Sequence, residues 1–148
     1  MLTFLINLDR SPERLQRTQA VFAKWGLSYS RMPGVDGRAI PVSTLSTLQQ
    51  AYGDRRYFLK DLTPGEIGCF LSHQKCWEAL VASQEDWAFI CEDDLIFLSD
   101  PRPFITQTNW IPSEVGLIQL GKESTHEETV RREKRFLPVN NDTGARLL

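Results

Sequence analysis

The sequence predicts an α/β fold with a mainly parallel central sheet flanked by helices. Three features predict it. Short apolar runs stand at residues 2–6 and 87–91, capped helical segments alternate with them, and a polar or acidic cluster follows each run. Strands covered on both faces read as near-continuous branched and aromatic segments, as these do.

The elements follow in order. Leu2, Thr3, Phe4, Leu5 and Ile6 form the first buried strand, and residues 7–10 leave it as a loop. Ser11-Pro12 is a helix start, with Ser at the N-cap and Pro in the first helical position. Leu15, Thr18, Phe22 and Trp25 then fall on one helical face, and Gly26 stops the helix. Residues 28–32 are the next strand, 33–37 are rich in turn formers, 41–52 form a short helix and 53–62 an exposed loop.

Thr63-Pro64-Gly65-Glu66 carries a capping box: Thr at the N-cap, Pro at N1 and Glu at N3. Ile67, Phe70, Leu71, Trp77 and Val81 share one face of the helix that follows. Residues 87–91 are a strand that ends in Glu92-Asp93-Asp94, and 115–120 read as a further strand. There is no internal repeat or linker. In open parallel sheets ligands bind beyond the carboxyl ends of strands, where both Asn7 to Arg10 and Glu92 to Asp94 fall.

Composition narrows the functions. The chain has 148 residues, 41% apolar and 24% charged, the balance of one soluble domain with a core. A net charge of −2 provides no basic field for nucleic acid. Cys69, Cys76 and Cys91 are odd in number and lack framework spacing, which predicts reduced thiols in a cytoplasmic setting. Asn7 and Asp9 break the first apolar run far short of a signal peptide or a membrane span, so the chain is expected to stay where it is made.

Three consecutive carboxylates at a strand end repel one another, and a hard divalent cation relieves the repulsion. Strand alternation would turn Glu92 and Asp94 toward one site and Asp93 away from it. An acidic surface loop is the plainer account, although the acids are wedged between apolar runs. Arg10 and Arg14 flank a helix start and suit a phosphate, or else are simply solvent-exposed and pair with Asp9 or Glu13. Asp36, between Gly34 and Gly37, suits a ribose hydroxyl or a simple Asx turn. Cys69, His73 and Cys76 share a helix flank. A zinc site on them would draw all three ligands from one helix, with no fourth evident.

Four segments carry a resemblance. Residues 4–14, Phe-Leu-Ile-Asn-Leu-Asp-Arg-Ser-Pro-Glu-Arg, resemble the opening of glycosyltransferase family 25, the lipooligosaccharide biosynthesis glycosyltransferases, whose relatives include the collagen galactosyltransferases. Gly34-Val35-Asp36-Gly37 is similar to that family's second block. Residues 62–73, with Trp77, resemble its third block, and Phe89 to Asp94 its acidic motif. Each block is weak alone; four in order over the first hundred residues are specific together.

The resemblance implies a GT-A-like nucleotide-binding sandwich that takes a UDP-sugar, with Mn²⁺ or Mg²⁺ on the diphosphate. It implies Asp94 as main metal ligand with Glu92, and Asp93 near the ribose or the metal's waters. It places Asn7, Arg10 and Arg14 at the nucleotide end, and Ser72 and His73 near the donor. The acceptor would be lipooligosaccharide or another glycan, reached from the cytoplasm by peripheral contact with the inner membrane. Residues 1–121 would be the nucleotide-sugar-binding domain. Residues 122–148 would be a charged tail, the start of a truncated acceptor region. Family members are usually longer, the sequence offers no general base, and a non-catalytic nucleotide-sugar-binding remnant is the alternative.

Overall fold

The computed structural model describes residues 1–53, 62–120 and the two-residue strand at 146–147. The expected loop at 53–62 and the charged tail fall almost wholly outside the described residues. Strand β1 (Leu2–Asn7) leads to helix α1 (Pro12–Lys24), then to β2 (Ser30–Pro33) and a single 3-10 turn at Gly37–Ala39. Helices α2 (Val42–Gly53) and α3 (Pro64–Val81), strand β3 (Trp87–Glu92), the one-turn helix α4 (Arg102–Ile105) and β4 (Arg146–Leu147) follow.

The sheet order is β2-β1-β3-β4, and every pairing is parallel. The chain crosses from β1 to β2 on one side and returns to β3 on the other, so β1 is flanked by connections that run in opposite directions. That topological switch opens a crevice at the carboxyl ends of β1 and β3.

Alternation along the strands builds a core on each face. Phe4 and Ile6 of β1 and Ala88 of β3 pack with Cys76 and Leu80 of α3. Leu5, Phe89 and Cys91 pack on the opposite face with Phe22 of α1 and Ile105 of α4. Two covered faces explain why β1 and β3 read as continuous apolar runs.

Helix α1 begins and ends where the sequence sets it. Ser11 holds the N-cap position, but its side chain makes no capping bond. At the other end Gly26 adopts φ +63°, and the Leu27 N–H bonds the Phe22 carbonyl across it at 3.0 Å. The box on α3 closes in both directions: the Glu66 N–H donates to Thr63 Oγ1 (3.3 Å), and the Thr63 N–H to Glu66 Oε2 (2.7 Å).

Two expectations need correction. The buried row of α3 is Gly68, Ser72, Cys76 and Leu80, together with Ile67. Of the large residues expected on the buried face, only Ile67 is buried; Phe70, Leu71 and Trp77 are partly buried, with Phe70 meeting Trp77 edge-on at 5.7 Å, and Val81 is 53% exposed. Small residues let the helix approach its neighbours, and closeness of backbone, rather than side-chain bulk, decides the face. The strand expected at 115–120 reduces to one bridging residue, Leu117, which is 50% exposed. Leu117 and Leu120 stay about half exposed, so the run lacks the two covered faces that β1 and β3 have.

Candidate functional site

The sheet brings two clusters to its carboxyl edge, one on each side. Register continues from Ile6 opposite Glu92 to set Asn7 beside Asp93. Asn7 is 2% exposed and all its side-chain polar atoms are engaged. Its Nδ2 donates to Asp93 Oδ2 (2.6 Å) and to the Ser11 carbonyl (3.0 Å), and its Oδ1 accepts from Arg31 (2.9 Å). Arg14, in the first turn of α1, reaches Asp93 Oδ1 (2.5 Å) and Asp94 Oδ2 (2.9 Å). The Thr18 hydroxyl donates to the Asp93 carbonyl (2.8 Å). On the α1 side the acidic motif is therefore tied down by one cation, one amide and one hydroxyl.

Glu92 turns the other way, toward α3. Its Oε1 accepts from the Cys69 thiol at 3.4 Å and lies 3.4 Å from His73 Nε2. The hydrogen bond to His73 holds its carboxyl below the ordinary 4.5, with Cys69 adding to the effect and partial burial opposing it. Burial first, and then Glu92, push the Cys69 thiol up to about 11.

Glu92 and Asp94, expected to share one site by strand alternation, thus take different partners. The strand stops at Glu92, and the Leu95 N–H bonds the Glu92 carbonyl (3.2 Å) to close a turn over Asp93 and Asp94. The period of two does not extend past the last strand residue.

A cleft of about 150 Å³ opens on the α3 side. Ile6 and Leu8 line it from the end of β1, and Val35, Asp36 and Gly37 from the loop after β2. Gly65, Cys69, Ser72 and His73 line it from α3, and Glu92 from β3. Close backbone approach builds this wall: a Cβ on Gly68 would lie 2.5 Å from the Val35 carbonyl oxygen, and one on Gly37 would lie 1.6 Å from that of Pro64. Ser72 clips the same contact, accepting from the Val35 N–H (2.8 Å) and donating to the Gly68 carbonyl (2.6 Å). Asp36 caps the 3-10 turn through the Arg38 N–H (3.0 Å) and pairs with Arg10 (2.6 Å). The Arg38 bond first, and Arg10 second, hold its carboxyl below the usual range.

The expected site residues divide accordingly. Asp36, Ser72, His73 and Glu92 face the cleft, with Arg10 joined to it through Asp36. Asn7, Arg14, Asp93 and Asp94 form the knot beside it. The plainer pairing expected for the arginines is corrected in its partners: Arg10 takes Asp36, Arg14 takes Asp93 and Asp94, and Asp9 takes Arg31. Thr18 and Arg31 escaped sequence reasoning. Thr18 carried a signal, a hydroxyl on an otherwise apolar stripe; Arg31 carried none.

As hosts for a divalent ion the three acids differ. Both carboxylate oxygens of Asp93 are engaged by protein groups. Asp94 is 71% exposed on its side chain, and among the described residues only its Oδ2 is paired. Its hard, accessible oxygen suits Mn²⁺ or Mg²⁺.

The model of glycosyltransferase family 25, described as an LPS biosynthesis protein, matches residues 1–143. The chain belongs to glycosyltransferase family 25. A family 25 member from Drosophila pseudoobscura pseudoobscura is 37% identical over 134 residues, covering 85% of the chain and 21% of that relative. Human procollagen galactosyltransferase 2 is 34% identical over 98 residues, 64% of the chain and 16% of the relative. A bovine relative named probable inactive glycosyltransferase 25 family member 3 is 36% identical over 136 residues, 84% of the chain and 22% of the relative. The chain thus spans about a fifth of the length of the curated relatives it matches. The four segments quoted from the sequence, between residues 4 and 94, each contribute residues to one cleft. None of the described helices is long and apolar enough to cross a membrane.

Proposed function

We propose that the protein of which this chain is part transfers a hexose, galactose or glucose, from a UDP-sugar to a hydroxyl of lipooligosaccharide or another glycan, and that this chain binds the donor. One observation carries the reading: residues of all four family blocks line a single cleft or its flank, at the switch point of a parallel sheet. We infer that it works at the cytoplasmic face of the inner membrane, a reducing setting that suits its three free thiols.

In this reading Asp36 accepts from the ribose. Arg10 and Arg14, about half exposed, exchange part of their carboxylate pairing for the diphosphate. Asp94 holds Mn²⁺ or Mg²⁺, Asp93 braces the loop, and Glu92 faces the cleft on the α3 side. When bound, the ion offsets charge on the departing diphosphate. His73 and Ser72 stand at the donor's sugar end.

Calorimetry of UDP-galactose and UDP-glucose tests this. Binding is expected to require Mn²⁺ or Mg²⁺ and to weaken at least about tenfold in Asp94→Ala, the loss of more than about 1.4 kcal/mol. Binding indifferent to both the ion and the substitution rejects the reading.

A second reading has its own observation. Arg14 already offsets Asp93 and Asp94, so the motif is stable without an ion, and the bovine relative is named probable inactive. In a donor-binding remnant the UDP-sugar binds but is never consumed, which a UDP-release assay with a glycan acceptor separates from transfer.

A further inference from the structure

We propose that Cys69, His73 and Glu92 form a binding site for a borderline-soft divalent cation of the Zn²⁺ type, with its remaining coordination position open to the cleft. Cys69 and His73 are one turn apart on α3, so their side chains project from the same flank. Glu92 meets them from the end of β3, a ligand distant in sequence that fixes the pair against the sheet.

The geometry is close to coordination spacing. Zinc bonds of about 2.3 Å to sulfur and about 2.0–2.2 Å to nitrogen and oxygen, at tetrahedral angles, set ligand–ligand edges of about 3.3–3.6 Å. Cys69 Sγ and His73 Nε2 each lie 3.4 Å from Glu92 Oε1. All three ligand atoms lie within 4.8 Å of one another. Each residue is at least partly exposed, so an ion can arrive from solvent. Three protein ligands with an open position are the pattern of zinc sites that bind a further group.

The donor set separates this ion from the donor's. A thiolate and an imidazole select zinc-like ions over Mg²⁺, whereas Asp94 offers only hard oxygen. Cys76, the other thiol on this helix, is fully buried in the core against Phe4 and Leu80 and does not join the set. The site shares His73 and Glu92 with the donor-binding reading and lies in the same cleft, but it needs no nucleotide, so the two are tested separately.

Cobalt titration of the full chain, without nucleotide, tests it. One Co²⁺ per chain is expected, with thiolate-to-metal absorption in the near ultraviolet and the intense visible bands of a tetrahedral centre. Cys69→Ser is expected to abolish the thiolate absorption. His73→Ala is expected to weaken Zn²⁺ by more than about tenfold, the loss that even an outer-shell partner produces. Asp94→Ala is expected to leave both unchanged. Cys69 and His73 are not core residues, and thermal melts of each variant confirm that folding is retained. Absence of thiolate absorption at saturating Co²⁺, or its survival in Cys69→Ser, overturns the proposal.

Discussion

At the scale of single residues, the acidic motif is held by its surroundings in two directions at once. Asp93 is buried and depends on Arg14 and Asn7, while Glu92 leans on α3. Arg14→Met keeps most of the stem but leaves Asp93 with a buried charge and no cation. A buried pair broken on one side costs several kcal/mol, and the half-exposed arginine reduces that figure. A loss of about 1–3 kcal/mol is expected in urea unfolding. Asp93→Asn in the same background should recover part of it, because the amide carries no charge; equal stability of Arg14→Met and the parent would contradict the assignment. The three acids were legible in the sequence as a cluster; Asn7 and Arg14, expected at the nucleotide end, are found paired with them. Their pairing was not legible, because alternation applies only to strand residues and the turn over Asp93 and Asp94 breaks it. Thr18 was visible only as an oddity on an apolar stripe.

At the scale of elements, α3 carries most of what can be checked. Its capping box was legible because Thr63 and Glu66 satisfy each other's backbone locally, independent of tertiary context. Backbone and hydroxyl bonds from Thr63 hold Glu66 below its ordinary 4.5. A carboxyl depressed on folding adds stability above its unfolded value and loses it as pH falls through the folded one. Glu66→Gln is therefore expected to lower the urea midpoint near neutral pH, with the gap to the parent narrowing below pH about 4.5. A constant gap from pH 7 to 3 would exclude the charge as the cause. The helix's buried face was not legible: periodicity favoured Phe70, Leu71 and Trp77, whereas contact is made by Gly68 and Ser72. Gly68→Ala tests that contact. Its new Cβ would lie 2.5 Å from the Val35 carbonyl oxygen and 2.7 Å from the Gly37 nitrogen, both backbone atoms that cannot rotate away. Alanine's better helix propensity, worth about 1 kcal/mol, is outweighed by the overpacking. A net loss of about 1–3 kcal/mol is expected. If Gly68→Ala proves more stable than the parent, the close approach of α3 to the loop is wrong.

At the scale of the whole molecule, the α/β class and the parallel sheet were legible because β1 and β3 are covered on both faces and so lack polar alternation. The convergence of four separate blocks on one cleft was not legible from spacing; it follows from the strand order, which sets β1 between opposite crossovers. That order also divides the interior into two cores that share strands but no side chain. Phe22 belongs to one and Leu80 to the other, and both are almost completely buried. Phe22→Leu and Leu80→Val each remove volume that neighbours refill only in part, at about 1–2 kcal/mol apiece. With no common partner in either cluster, the two losses should add within about 0.5 kcal/mol in the double variant. Coupling larger than that would mean that the sheet transmits packing strain from α1 to α3. The cleft edge would then be mechanically continuous with the acidic knot on the opposite side.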